Sequence, residues 1–445
     1  MPINATGVSA ASDPVPAPRA SAGTPPLEFD MKDLKSWNPV VKVLEWLADY
    51  PQCQWLMELF RLFWPIPACR RLFKWAAATR FDDVQEVLTQ DQIFQVPFGE
   101  RAIELNAGGP NFILGMQDGA EYRHNLRQIM EAFRIEDVPR LVAPMTTNFA
   151  EKLINDSKGR LDAVEGLITL VCTMVCEEYF GIAIPRKKDF AYWTLAMSKY
   201  MFGDLFNNPG IRRAALAGAE CVRTVIDDAI ASERARGCTS ETVLARLLQI
   251  QKRDPTTLPD TVIRAHFLGM IAGFIPTNAT AGGHMLEMLL RRSDFMAPAR
   301  AAALAADDDL LLCCLFEAMR FKPLNPGPVR YCTQDYTFAK RGFLSWRAKT
   351  IRQGMKVLAS TQSAMFDRQQ VKRPHDFDPQ RPAYNYMLLG YGLHWCAGVF
   401  IAKAQIARTF KALLTKKRLR RAAGSDGKLE QLGGIPIHLW VEFDS

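Results

Sequence analysis

Apolar positions change period along the chain. From about 138 to 300 they recur every three to four residues, as in "LDAVEGLITLVCTMVCEEYF" and "TVIRAHFLGMIAGFIPTNATAGGHMLEMLLRR", which predicts helix over nearly the whole span. Residues 32–64 and "EYRHNLRQIMEAF" (121–133) share that period, and a final helix is predicted from about 397 to 414. "KWAAATRFDDVQEVL" (74–88) reads as a strand followed by a helix with Asp82 or Asp83 near its start. Between 325 and 360 the pattern breaks into short β-prone runs, "VRYCTQDYTFA", "FLSWRAKTI" and "MKVLAS", and "IPIHLWVEF" predicts a closing strand. Residues 96–117 hold four glycines and no clear period, which predicts a long irregular loop carrying apolar side chains. The expected fold is mainly α with a small β portion, in a single large domain over 28–445.

Composition narrows this picture. Hydrophobic residues make up 48% of the 445, enough for a sizeable core and too many for wholesale disorder. Residues 1–27 are rich in Pro, Ala and Ser without an apolar centre, so they predict a flexible leader rather than a signal peptide. There is no run of 18 apolar residues, so no membrane-spanning segment is expected; "WLMELFRLFWPI" (55–66) is expected to pack on the core. A formal charge of +8 is modest for this length and gives no reason to expect nucleic acid. The basic run "TKKRLRR" (415–421) reads as solvated surface. Ten cysteines include no C-x-x-C pair, and Cys172 and Cys176 have no further ligand nearby in sequence, so a reduced, cytoplasmic chain is expected.

One cysteine stands apart. "LLGYGLHWCAG" (388–398) places Cys396 among three glycines, just before the last predicted helix. Backbone N–H groups brought close by Gly390, Gly392 and Gly398, with the helix N-terminus, would stabilise a thiolate. A lone cysteine ligand suits heme iron better than zinc, which takes three or four protein ligands. The same residues also fit a glycine-rich turn holding an inert buried cysteine.

This stretch resembles the heme-binding loop of the cytochrome P-450 family, F-x-x-G-x-x-x-C-x-G, with Leu389, Gly392, Cys396 and Gly398 at the patterned positions. Leu389 in place of Phe is a departure. "EAMR" resembles the family's E-x-x-R, which implies a buried ion network of Glu317 and Arg320 completed by Arg381 from "RPHDFDPQR" (373–381). "PLNPGPVR" (323–330) resembles the following turn and strand, where the family sets an arginine on a heme propionate, here Arg330. His394 matches a position that often contacts a propionate. "DGAEYRHNLRQIMEAF" (118–133) resembles the helix that brings His and Arg to the heme edge, yet Tyr122 and Leu126 occupy those two positions, and the neighbouring Arg127 becomes the expected contact. The resemblance implies heme b held by Cys396, with Gly390 and Gly392 shaping its seat.

The distal helix departs further. Family monooxygenases carry A-G-x-(D/E)-T there to deliver protons to bound dioxygen. This chain reads Ala272, Gly273, Phe274, Ile275, Pro276, Thr277, with the acid replaced by Ile and the threonine by Pro. Thr277 is displaced by one residue, or about 100° around the helix, and Pro276 favours a kink. Two readings follow. In one, a monooxygenase uses Thr277 or Asn278 with a water chain. In the other, a peroxygenase or lipid hydroperoxide isomerase uses peroxide directly, although Ile275 stands where fatty-acid peroxygenases have an arginine.

The resemblance further implies a pocket lined by Phe98, Leu105, Phe112, Phe274 and Leu324 for a lipophilic substrate, fatty acid first and terpenoid or sterol second. Arg101 is placed near its mouth. No flavin or iron–sulfur motif is present, so a monooxygenase needs a separate ferredoxin or flavoprotein reductase. Lys403, Arg408, Lys411 and Lys416 follow the cysteine loop on the face where such partners dock.

Overall fold

Twenty-two of the 32 residues in the helix Asp260–Arg291 are buried. A helix that is apolar all round must cross a core rather than cover one, and at about 1.5 Å per residue this one is about 48 Å long. Its first half, Ile263 to Ile275, packs in one apolar cluster with the helices Lys187–Ser198 and Pro209–Ala235. Its second half, Ala281 to Leu289, packs in another with the helices Asp308–Phe321 and Val399–Leu414. The computed structural model describes residues 52–63, 68–69, 74–204, 207–338 and 350–444, together with Leu34. The leader, nearly all of 32–51 and most of "FLSWRAKTI" lie outside the described residues.

Five strands form the largest described sheet, in the order Ala68–Cys69, Trp75–Ala78, Lys356–Ala359, Val329–Cys332, Phe94–Gln95. Trp75–Ala78 runs parallel to Lys356–Ala359, which pairs antiparallel with Val329–Cys332 and sets Arg330 opposite Val357. The rest of the chain is mainly helical. Its organisation is therefore the expected one, mainly α with a small β portion, and it matches known structures as a single domain.

Several elements differ from expectation for identifiable reasons. Within 96–117 a seven-residue helix, Gly99–Leu105, buries Ala102 and Leu105; it is too short for its period to stand out. "IPIHLWVEF" divides into two strands, Ile435–His438 and Trp440–Glu442. Asp162 causes the break, because its Oδ1 accepts the Leu439 N–H at 3.1 Å and also those of Val164 and Glu165. Asp162 ends a short strand, Arg160–Asp162, inside the span predicted to be helical. The helix Gln52–Phe63 buries Gln54 and Arg61 and exposes Trp55 and Leu62, so part of its apolar content does not reach the core. Arg61 is held by Ser363, whose carbonyl and hydroxyl oxygens each accept at 2.8 Å. No helix among the described residues is long and apolar enough to cross a membrane.

The "TKKRLRR" run is surface, with Arg418 on Asp444, Arg420 on Glu442 and Arg421 on Glu287. Cys172, Cys176, Cys221, Cys238, Cys313, Cys314, Cys332 and Cys396 are free, and burial pushes the Cys172 and Cys176 thiols up.

Candidate active site

The loop around Cys396 is held by its turns. Gly390 and Gly392 have φ of +81° and +69°, where side chains are strained. A Cβ on Gly392 would sit 2.4 Å from the Leu88 carbonyl oxygen, so the loop lies directly against the helix Phe81–Thr89. The Cys396 N–H donates to the Leu389 oxygen at 2.9 Å and closes the loop. Gly390 and Gly392 thus serve the turn, and the backbone N–H acting on the sulfur comes from Gly398. Burial pushes the Cys396 thiol up and the Gly398 N–H pulls it back. The helix Val399–Leu414 starts three residues later and turns its positive end toward this loop.

Cys396 lines a cavity of about 1000 Å³, at the upper end of the range for ligand sites. Arg330 and His394 share its wall. Arg330 is 3% exposed, and its Nε has no hydrogen-bond partner. Burial pushes its pKa down to about 10, partly offset by Asp91. His394 Nδ1 also lacks a partner, and burial with the Arg330 charge lowers its pKa to about 4. Two buried nitrogen atoms without acceptors, beside a half-buried thiol, form a donor set that fits heme b, whose carboxylates would accept from both and whose iron would take the sulfur as thiolate. Arg330→Leu is expected to speed heme loss about 10- to 100-fold, the worth of one charge-assisted bond, measured as heme transfer to an excess of apo-globin.

Thr277, Phe98, Phe112, Phe274 and Leu324 also line the cavity. The distal helix runs unbroken through Pro276, where the sequence predicts a kink. Side chains tie the turns around the proline. Thr277 Oγ1 donates to the Gly273 oxygen, Asn278 Nδ2 to Phe274 at 2.7 Å, and Thr280 Oγ1 to Pro276 at 2.7 Å.

Two expected positions are not at the cavity. Leu105 is 1% exposed and buried in the core below the helix Gly99–Leu105. Arg127 is exposed, because the helix Ala120–Ala132 buries Tyr122, Asn125 and Ile129 and turns Arg127 to solvent. Tyr122 instead donates to the Leu393 oxygen at 2.8 Å and packs edge-on against the His394 ring, with centroids 5.3 Å apart. Arg101 is engaged, donating to the oxygens of Tyr200 and Asp204 and to Asn207 Oδ1, so it clamps a loop rather than facing the cavity. Trp75, His266 and Lys199 line the wall unforeseen. His266 could have been found from its spacing, since 266, 269, 273 and 277 follow one helix face.

Glu317, Arg320 and Arg381 come together. Arg320 makes a two-pronged pair with Glu317 at 2.7 and 2.8 Å, and Arg381 Nε reaches Glu317 Oε1 at 3.2 Å. Tyr386, not anticipated, donates to Glu317 Oε2 at 2.9 Å. On the face beyond the cysteine loop, Arg408 and Lys411 both hold Asp308, Lys416 reaches Asn155, and Lys403 lies 5.6 Å over the Phe316 ring. Trp395 and Phe400 stand exposed on the same segment.

Helical architecture, a single cysteine on a glycine-turned loop and buried cations at a large cavity define a heme-thiolate protein. Residues 74–431 match the family model "Cytochrome P450". The chain belongs to the cytochrome P450 family. The vitamin D(3) 25-hydroxylase of Pseudonocardia autotrophica is 23% identical over 336 residues, 74% of this chain and 76% of that one. The monooxygenase PikC of Streptomyces venezuelae is 26% identical over 64% of this chain and 62% of its own length. The crystal structure of CalO2 superposes with a TM-score of 0.74 at 19% identity, covering 89% of this chain and 98% of that one. CYP109E1 from Bacillus megaterium, solved with corticosterone, gives 0.71 at 16% identity over 88% and 98%. The chain is therefore a P450 monooxygenase, and its cofactor is heme b.

Proposed function

We propose that this enzyme inserts oxygen into a lipophilic substrate of steroid or polycyclic natural-product size, using dioxygen and electrons from a separate ferredoxin or flavoprotein reductase. The observation that carries the reading is the cavity itself, which unites Cys396, Thr277 and the apolar side chains of Phe98, Phe112, Phe274 and Leu324. When bound, heme supplies the oxidising chemistry. The chain's part is to hold it through Cys396, Arg330 and His394, to exclude water with the apolar wall, and to keep a hydroxyl at Thr277 Oγ1. That hydroxyl donates to the Gly273 oxygen, so its lone pairs can accept a proton donor from the cavity side. This arrangement does the work the missing acid–threonine pair does elsewhere, with water as the further link.

The vitamin D(3) hydroxylase relative and the corticosterone-bound neighbour support a polycyclic substrate over a fatty acid. Ile275, where a fatty-acid peroxygenase would place its carboxylate-binding arginine, is 1% exposed in the core. The peroxide-using alternative is correspondingly disfavoured. Turnover of a panel of steroids and fatty acids is expected with NADPH, a ferredoxin and its reductase, and not with hydrogen peroxide alone. Equal turnover with peroxide alone would reject the dioxygen reading, and turnover confined to fatty acids would reject the substrate class.

A further inference from the structure

The heme side of the cavity uses Cys396, Arg330 and His394. Among the titratable groups on the wall that have no role in that scheme, His266 stands out. His266 lies on the distal helix, lines the cavity and is 1% exposed, and neither of its ring nitrogens has a hydrogen-bond partner. Buried polar groups are nearly always paired, so two orphaned nitrogens on one ring ask for an explanation. Folding alone gives none, since phenylalanine or leucine would fill the site without the desolvation cost.

Its place on the helix says what it would meet. His266, Gly269, Gly273 and Thr277 follow one face at spacings of three, four and four residues, and all four line the cavity. Gly269 makes room on that face for the Phe112 ring, since a Cβ there would sit 2.1 Å from it. His266 is two turns from Gly273, or roughly 10 Å along the axis, and three turns from Thr277, roughly 16 Å. A molecule oxidised beside Thr277 would therefore reach His266 with its far end, past the Phe112 ring.

The chemistry follows from burial. Desolvation pushes the His266 pKa down to about 4, so the ring is neutral near pH 7. A neutral imidazole offers one N–H and one lone pair. That matches a hydroxyl or a carbonyl and does little to offset a carboxylate.

We propose that His266 recognises a neutral oxygen substituent, a hydroxyl or carbonyl, at the end of the substrate remote from the oxidised carbon. The proposal rests on the cavity being the substrate pocket of a monooxygenase. It adds a specificity rule, namely that a substrate oxygenated at the far end binds better than the matching hydrocarbon.

The test compares the holoenzyme with His266→Phe and His266→Gln. Testosterone and 5α-androstane are titrated against the heme Soret absorption, and each protein is melted thermally. His266→Phe is expected to weaken testosterone about tenfold, the worth of one hydrogen bond, and to leave androstane unchanged. His266→Gln is expected to recover part of the loss. Without ligand, His266→Phe is expected to melt at or above the wild-type temperature, because an unsatisfied polar ring has been removed. A fall of several degrees in its melting temperature would make His266 a structural group satisfied by buried water, and would overturn the proposal. So would equal losses for the two ligands, or no loss for either. If wild-type enzyme binds neither steroid, the polycyclic substrate class fails, and the melts alone decide whether His266 is structural.

Discussion

Cys396→Ala is expected to fold and to lose the ferrous carbon-monoxide Soret band that marks thiolate ligation. The substitution removes one heavy atom from a loop held by other means. Those means are the left-handed turns at Gly390 and Gly392, the bond from the Cys396 N–H to the Leu389 oxygen, and the contact of Gly392 with Leu88. None of them involves the sulfur. The stability cost should therefore be about 1 kcal/mol, near the centre of the distribution for point substitutions. The electronic effect is not small. Among the described residues Cys396 is the one cysteine on the cavity wall, so no second thiolate can take its place. Arg330 and His394 would still meet the heme carboxylates, so some heme should remain bound with altered ligation. The measurement is a reduced, carbon-monoxide-treated difference spectrum alongside a thermal melt. A normal thiolate band in a folded variant would remove Cys396 from the iron.

Why that loop was legible from sequence, while Arg127 and Leu105 were misplaced, has a physical answer. Cys396, Glu317, Arg320 and Arg381 carry chemistry that restricts residue type and spacing together: a thiol in a turn that needs positive φ, and charges that must be paired once buried. Arg127 was placed by adjacency to an altered motif, and adjacency on a helix is a rotation of about 100°. That rotation takes it from the buried face of Tyr122 and Ile129 to solvent. Leu105 was placed by loop membership, but the loop contains a helix that points it into the core. Tyr386 escaped because a hydrogen bond across 69 residues is set by tertiary packing, which leaves no local pattern; the spacing of His266 marks its helix face, but that its ring lacks partners is set by packing. The helical course of 138–300 was legible because long amphipathic periods reflect burial directly. The strand Arg160–Asp162 was not, since three residues carry too little pattern to outweigh their helical neighbours.

Glu317→Ala is expected to lower stability by about 3–5 kcal/mol, the cost of breaking a buried ion pair, and to release heme as it does so. Glu317 and Arg320 are fully buried and Arg381 is 6% exposed. Without the carboxylate two guanidiniums remain in the interior, and Tyr386 Oη and the Asp378 N–H lose their acceptor. The remaining N–H groups of the arginines do not stand idle. Arg320 donates to the oxygens of Pro374 and Met365, and Arg381 to those of Lys372 and Asp376. The pair thus pins residues 365–381, the segment that leads into the cysteine loop. Loosening it should slacken the Cys396 seat, so heme content should fall together with the melting temperature. Burial alone would raise the Glu317 pKa, but the Arg320 and Arg381 guanidiniums outweigh it and hold the carboxyl below its usual range. A depressed folded-state pKa gives stability that is present above the unfolded value of about 4.3 and is lost as pH falls through the folded one. The gap between wild type and Glu317→Gln, which keeps the shape without the charge, should therefore stay constant above about pH 5 and close in acid. Denaturant melts of both holoproteins at pH 7 and stepwise down to about pH 3 measure this. A gap that persists unchanged at low pH would show that Glu317 acts there through shape and hydrogen bonding rather than through its charge.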